Sequence, residues 1–307
     1  MTGRPRRALV GVAIAAGLGA AAPPRDAFSL AILRRDGAAI PFATFNGRTW
    51  RDTWPPAQIN LTVPINLGSV PRDWWGPIGP HDAWDLWHAG AAVPLRVTQP
   101  DWVAVHCARR IALRTDYRGD VIPPDTEQPY PKDGVAVYPP HRIEPIEVVS
   151  EDAPAARAVK AVLADGFNRA ERETESHFSH PVGKRQREGI EPAIEAIYAF
   201  GELPQFLYVE AARSYPGGSA DECKAFAFAT GWFVRDGDTV RQLLMAVDVL
   251  RCDRVGGSYM LPLGVIRTGG RTFWIAQFSG WHHERYVVIE LKPKMVELMI
   301  TTWGGGC

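Results

Sequence analysis

Two groups of histidines are the side chains in this sequence best suited to bind a metal ion or to move protons. His177 and His180 are three residues apart, so at the end of a helix they would face the same way. His282 and His283 are followed directly by Glu284, at a predicted hairpin turn. Imidazole and carboxylate groups are common metal ligands and general acids or bases. These five residues therefore define a candidate metal site, and with it the hypothesis of a metal-dependent hydrolase.

Each histidine group also has a purely structural explanation. Adjacent residues on a strand point to opposite faces, so His282 and His283 would not readily share one ion, and a polar turn explains them equally well. His177 and His180 would suit an exposed helix terminus, where a cationic histidine is stabilised by the helix dipole. No cofactor is predicted outside the hydrolase hypothesis.

Tryptophan is the most unusual component of the composition. Seven of the eleven tryptophans lie between residues 50 and 102, in a segment that is also rich in proline. Flat aromatic rings offer stacking platforms for sugars, and so this segment is a candidate glycan-binding site. The alternative is that tryptophan pins irregular loops to a sheet. The candidate binding residues are Trp74, Trp75, Trp84 and Trp87.

Other chemistries have no motif in the sequence. It contains no GxSxG nucleophile elbow, no phosphate-binding glycine loop and no HExxH pair. The 34 basic and 34 acidic residues balance, which leaves no net field to attract nucleic acid, and no segment after the N-terminus is apolar for long enough to span a membrane. Any partner is therefore expected to be a glycan or another protein of the cell envelope.

Residues 1–21 are predicted to form a cleavable signal peptide. Three arginines precede an apolar stretch from Ala8 to Ala22, and small residues at Gly19 and Ala21 fit a cleavage site. The scarcity of lysine and the abundance of alanine, glycine and proline indicate a GC-rich bacterial genome. We therefore expect a soluble protein exported to the periplasm or the cell exterior.

Four cysteines remain after cleavage, and an oxidising compartment favours disulfides between them. Cys223 and Cys252 fall near the ends of neighbouring predicted strands, so we expect them to pair. Cys107 and Cys307 would then pair by elimination. The alternative is that Cys307, which follows three glycines, is a free or intermolecular thiol.

One long helix is predicted at about Pro154 to Ser176, because apolar residues recur there at steps of three and four with charged residues between them. Asp152 is the expected N-cap, and Pro154 suits the first turn. Residues 183–188 are polar and are read as an exposed connection.

The remaining chain is predicted to be mainly β. Asp36-Gly37 and Asn46-Gly47 separate apolar runs as hairpin turns do, so the mature chain should open with a meander. Residues 52–90 and 117–145 read as irregular or linking segments. Eight strands are expected after the helix, forming one antiparallel meander that curls into a bent sheet or an open barrel. They lie near residues 194–200, 206–214, 225–234, 239–251, 259–267, 271–279, 285–292 and 295–303.

The predicted fold class is thus mainly β (α+β), organised as a signal peptide (1–21), an N-terminal Trp- and Pro-rich β unit (22–150), a helix with its connecting loop (151–189) and a C-terminal β unit (190–307). The leading functional hypothesis is an exported, non-enzymatic binding or structural protein, with glycan binding through the tryptophans as one form of it. The metal-dependent hydrolase is the alternative.

Overall fold

The structure is a computed structural model, and it describes residues 26–57, 68, 70–78, 83–88, 90–217 and 223–307. The predicted signal peptide lies outside these residues. The chain is mainly β, with antiparallel sheets and one long helix, as predicted. Within the described residues, no helix is both long and apolar enough to cross a membrane.

Seven strands form the first sheet, and six of them close into a barrel. The barrel runs in the order β1-β7-β4-β5-β6-β2 and closes by pairing of β2 with β1, while β3 extends β2. The strands are β1 (Ala27–Arg34), β2 (Ala38–Asn46), β3 (Trp50–Arg51), β4 (Ala83–His88), β5 (Ala91–Val105), β6 (Ala108–Thr115) and β7 (Lys132–Tyr138). Two short 3-10 helices, separated by a kink at Gly76, lie within Arg72–Ile78 between β3 and β4.

Both predicted hairpin turns are confirmed. Gly37 has φ 84° and Gly47 has φ 89°, conformations that glycine adopts without steric cost. At Gly37 an added Cβ would lie 2.2 Å from the carbonyl oxygen of Tyr117. This position therefore requires glycine both for its backbone angle and for its close contact with the chain.

The prediction for the two segments read as irregular was wrong in part. Residues 83–88 form β4 and residues 132–138 form β7, and both strands are needed to close the barrel. Prolines and glycines around each short strand masked its periodicity. The buried run Val135-Ala136-Val137 is paired on one side with β1 and on the other with β4.

The long helix α1 spans Pro154–Glu175, and a single turn, α2, spans Lys184–Arg187. The N-cap of α1 is Ala153 and not Asp152, and no side chain caps it. Gly166 lies where the helix contacts the sheet most closely, since a Cβ there would meet the side-chain oxygen of Gln242 at 2.3 Å.

All eight predicted C-terminal strands are present, but they do not form one meander. They are divided between two five-stranded sheets, β13-β12-β11-β10-β9 and β17-β16-β15-β14-β8, so the expected curled sheet or open barrel is wrong. The strands are β8 (Ile143–Glu144), β9 (Glu147–Val148), β10 (Ala193–Phe200), β11 (Gln205–Pro216), β12 (Cys223–Asp236), β13 (Thr239–Leu250), β14 (Tyr259–Thr268), β15 (Arg271–Gly280), β16 (His283–Lys292) and β17 (Met295–Gly306).

The barrel, the two sheets and α1 stack as four layers. Strand β15 shows why the layers form: Phe273 and Ile275 pack on the outside of the barrel, whereas Trp274 and Ala276 pack on the other sheet. Successive side chains point to opposite faces of a strand, so an unbroken apolar run is buried on both sides. The β14–β17 sheet is therefore an inner layer, and the β10–β13 sheet holds α1 on its outer face.

Both predicted disulfides are present. Cys107 is bonded to Cys307 and Cys223 to Cys252, and none of the described cysteines is free. The first bond joins the β5–β6 turn to the last residue of the chain, and the second joins the start of β12 to the connection between the two sheets.

Candidate functional site

The four candidate tryptophans belong to the barrel. Trp75 and Trp84 are 4% and 2% exposed and form part of the apolar core that contains Leu86. Trp74 and Trp87 are half-buried, and the indole N–H of Trp87 donates to the carbonyl oxygen of His141 at 3.0 Å. Their rings pack in or against the apolar cores of the barrel.

The histidines at the β15–β16 turn are separated from the carboxylate that follows them. His282 is exposed, and the half-buried ring of His283 stacks on Trp303 with 6.0 Å between ring centroids. Glu284 is buried beneath them and pairs with Lys132. Adjacent strand residues thus face opposite ways, as the sequence analysis expected.

A set of four buried residues, termed the barrel-side cluster, surrounds this carboxylate: Lys132, Gln277, Glu284 and Tyr286. Glu284 accepts from the Lys132 ammonium at 3.0 Å, from the Gln277 amide at 3.2 Å and from the Tyr286 hydroxyl at 2.5 Å. The side chains of Lys132 and Glu284 are each 1% exposed. Burial lowers the pKa of Lys132, against the opposing effect of Glu284.

The predicted metal ligands do not assemble into one site. His177 is exposed at the end of α1, whereas the side chain of His180 is 1% exposed and contacts Glu171. Among the described residues there is no group of three or more histidine, cysteine, aspartate or glutamate side chains that could hold a metal ion.

His180 belongs instead to a second buried set, termed the helix-side cluster: Glu171, His180, Arg187, Arg213 and Tyr215. Glu171 projects from the last turn but one of α1 towards β11, and its side chain is only 5% exposed. The Tyr215 hydroxyl donates to Oε1 of Glu171, and Nη1 of Arg213 donates to Oε2 at 3.3 Å. Nη1 of Arg187 lies 3.5 Å from the same Oε2.

The hydrogen bond on one side of His180 fixes its tautomer. Nδ1 accepts from the backbone N–H of Val182 at 2.9 Å, so in the neutral ring the proton is on Nε2. Nε2 lies 3.4 Å from Oε1 of Glu171, and the ring meets Tyr215 edge-on. The imidazole therefore adds a further N–H group beside the carboxylate.

Neighbouring residues hold the two guanidinium groups in place. Nη1 of Arg213 also donates to Asn168 Oδ1 at 2.9 Å, and its guanidinium carbon lies 4.5 Å from the centre of the Phe167 ring. Nη2 of Arg187 donates to Glu175 at 2.9 Å, and this bond lowers the pKa of Glu175. Burial, followed by the bond to Glu171, raises the pKa of Tyr215 far above its usual value.

The helix-side cluster borders a cavity of about 360 Å³ between α1 and α2, termed the helix-side pocket. This volume is within the range typical of small-molecule sites. The lining residues are Asn168, Glu171, Arg172, Glu175, Lys184, Arg187, Glu188, Gly189, Ile190, Glu191 and Arg213.

A larger cleft of about 960 Å³ opens where the two C-terminal sheets end. Four of its charged side chains form two ion pairs: Arg267 with Glu144 at 3.0 Å, and Arg271 with Glu290 at 2.8 Å. The barrel-side cluster lines neither cavity. The helix-side pocket is lined by three buried charged residues, Glu171, Arg187 and Arg213, whereas the cleft is lined by one, Glu290.

Sequence reasoning missed Glu171, Arg187, Arg213 and Tyr215, although two signals were available. Leu163, Phe167 and Glu171 follow one another at four-residue steps, which places the glutamate on the buried stripe of the helix. Arg213 continues the alternating run of buried residues in β11 that faces α1. A charged residue on a buried face needs a partner, so these two positions were candidates for a buried ion pair.

No known protein provides a guide to the role of this pocket. No family model matches the sequence, and no curated protein or solved structure shows significant similarity to it.

Proposed function

We propose that this chain is an exported binding protein that holds a small polar ligand in the helix-side pocket. The observation that carries the proposal is the helix-side cluster itself: buried ionisable side chains, fixed by one another on α1 and β11, at the wall of a cavity. Sites built on rigid elements hold their polar groups ready for a ligand, which reduces the cost of binding.

The two disulfides support the exported location. Disulfides persist in oxidising compartments such as the periplasm and the cell exterior, and they are rare in the bacterial cytosol. The predicted signal peptide also indicates export. Together they support a location in the periplasm or in the extracellular space.

The ligand is placed in the helix-side pocket rather than on the tryptophans of the barrel. Trp75 and Trp84 are buried in the barrel core, so their rings offer no open face for a sugar. The pocket lining is polar and evenly mixed, with four basic and four acidic residues, and so it suits a small polar molecule.

A blocked-pocket variant tests this proposal. Glu188 and Glu173 are both exposed, but only Glu188 lines the pocket. In a thermal-shift screen of small polar metabolites, ligands should stabilise the wild type and the Glu173→Trp control but not Glu188→Trp. Ligands that stabilise all three proteins equally, or a screen in which none stabilises the wild type, would contradict the proposal.

A further inference from the structure

The hydrogen-bonding capacity left over in the helix-side cluster consists of donors. In the described part of the chain, Nε2 of His180, Nε of Arg187 and Nε of Arg213 are buried and form no hydrogen bond. Each of these atoms is an N–H group, since the neutral tautomer of His180 carries its proton on Nε2. A buried donor without an acceptor destabilises the protein, so these groups favour a ligand that supplies an acceptor.

The acceptors of the cluster are already occupied. Oε1 of Glu171 accepts from Tyr215 and faces His180, while Oε2 accepts from Arg213 and faces Arg187. A ligand that offers only donors would have to compete for these oxygens. A ligand that offers acceptors meets the side chains of Arg187 and Arg213 in the pocket lining, and each of them keeps a buried Nε–H group without a partner.

The net charge of the pocket wall does not determine which ligand binds, but the geometry of its N–H groups does. Arg187 is paired with Glu175 and Arg213 with Glu171, so the wall is close to neutral. A guanidinium group presents its N–H groups as a planar fork, which matches the two oxygens of a carboxylate and makes strong, directional bonds with it. Two such forks lie at one cavity wall, and each has an Nε–H group without an acceptor, which makes this wall complementary to a planar oxyanion.

The rest of the pocket sets the size and nature of the ligand. A cavity of about 360 Å³ admits a small molecule and not a polymer. Ile190 gives one apolar contact, and Lys184 and Glu191 bring both signs of charge to the exposed part of the lining. The ligand therefore has a polar body as well as an acidic group.

We propose that the helix-side pocket binds the carboxylate of a small organic acid, with Arg187 and Arg213 as the groups that recognise it. This inference rests on the proposed function and narrows it to a ligand class. Acetate tests the acidic group alone, and D-glucuronate with D-glucose forms a matched pair that differs by the carboxylate. Inorganic phosphate represents the other source of acceptor oxygens.

Two arginines of α2 provide a matched pair of variants. Arg187 is buried at the pocket wall, whereas Arg185 is exposed and does not line it. Calorimetry on the disulfide-intact protein should show that acetate and D-glucuronate bind, and that D-glucose binds at least tenfold more weakly. Arg187→Met should weaken carboxylate binding at least tenfold, and Arg185→Met should leave it unchanged.

Further outcomes separate this inference from the proposed function. If D-glucose binds as tightly as D-glucuronate and Glu188→Trp abolishes both, the carboxylate assignment is overturned and the binding pocket stands. If phosphate binds and neither carboxylate does, the ligand is a phosphate compound and the inference is wrong. If no probe binds the wild type, the inference also fails, and the metabolite screen decides separately about the pocket. Should Arg187→Met not fold, the comparison of D-glucuronate with D-glucose on the wild type still tests the carboxylate assignment.

Discussion

The barrel-side and helix-side clusters use the same chemistry in two different settings. Each buries a glutamate that accepts from a tyrosine hydroxyl and pairs with a cation: Tyr286 and Lys132 around Glu284, Tyr215 and Arg213 around Glu171. The Lys132–Glu284 pair is sealed between the barrel and the inner sheet, at 1% exposure for each side chain. The helix-side cluster borders a cavity.

This difference shows that buried charge alone does not mark a functional site. In a sealed ion pair, only the interactions between the partners offset the free-energy cost of removing both charges from water. Such a pair therefore affects the stability of the protein and the uniqueness of its fold. A buried pair at a cavity wall lies beside a space that a ligand can enter. The predictions below test this division, beginning with the largest effect.

The two disulfides should differ in their contribution to stability. Cys107 and Cys307 are 200 residues apart and close the sealed side of the molecule, whereas Cys223 and Cys252 are 29 residues apart. The entropy of loop closure predicts a loss of about 5 kcal/mol for Cys107→Ala/Cys307→Ala and of about 3.5 kcal/mol for Cys223→Ala/Cys252→Ala. Urea unfolding of both double variants without reductant measures this, and equal losses would show that loop length does not control the effect.

Breaking the sealed ion pair should cause the next largest loss of stability. Lys132→Met or Glu284→Gln leaves one buried charge without its partner, so each should lower the free energy of unfolding by about 3–5 kcal/mol. The double variant removes both charges and should lose clearly less than the sum. As a control, Arg251→Ala breaks an ion pair whose arginine is 85% exposed and should cost less than about 1 kcal/mol. Additive losses in the double variant would show that the two side chains are not coupled.

A third buried glutamate, Glu210, adds a pH test to the comparison. Among the described residues it has no ion-pair partner, and its carboxylate accepts from the backbone N–H of Met260 at 2.7 Å. Burial raises its pKa to about 7. The folded protein therefore keeps this proton while the unfolded chain, with a pKa near 4.5, releases it, so the free energy of unfolding falls as pH rises from 4.5 to 7.

The size of that fall is about 3 kcal/mol, from a pKa difference of about 2.5 units. It should be absent in Glu210→Gln, which keeps the shape of the side chain and cannot titrate. Urea unfolding of both proteins across this pH range isolates the contribution as their difference. Parallel pH profiles would mean that Glu210 titrates normally and that its environment is more polar than the structure shows.

The smallest effect on stability should come from Glu171→Gln in the helix-side cluster. The substitution leaves Arg187 and Arg213 without one carboxylate, but water in the adjoining cavity can hydrate them. We expect a loss of about 1–3 kcal/mol, smaller than for the same change at Glu284. A loss equal to that of Glu284→Gln would show that both clusters are sealed and would remove the basis for the division.

The sequence predicted local structure well, because local structure depends on neighbours in the chain. Neighbouring residues alone predicted the turns at Asp36-Gly37 and Asn46-Gly47, the helix α1 and all eight C-terminal strands. The pairing of Cys223 with Cys252 was predicted from strand ends, and that of Cys107 with Cys307 only by elimination, with a free Cys307 as the alternative.

Long-range arrangement was harder to predict, for a physical reason. Whether consecutive strands form one sheet or two depends on which apolar faces meet, and Phe273 and Trp274 are apolar on both sides of β15. The helix-side cluster depends on contacts such as Arg213 with Glu171, 42 residues away. Glu171 was not recognised as buried, because a glutamate on a helix with many charged residues is usually solvated.

The most direct test of the central claim is an acetate titration followed by NMR, with ¹⁵N-labelled arginine side chains and backbone amides. The account predicts that signals of Arg187, Arg213 and Asn168 shift with saturation, while those of Gln277 and Lys132 do not move. Shifts confined to the sheet-end cleft at Arg267 and Arg271, or no shifts at all, would contradict it.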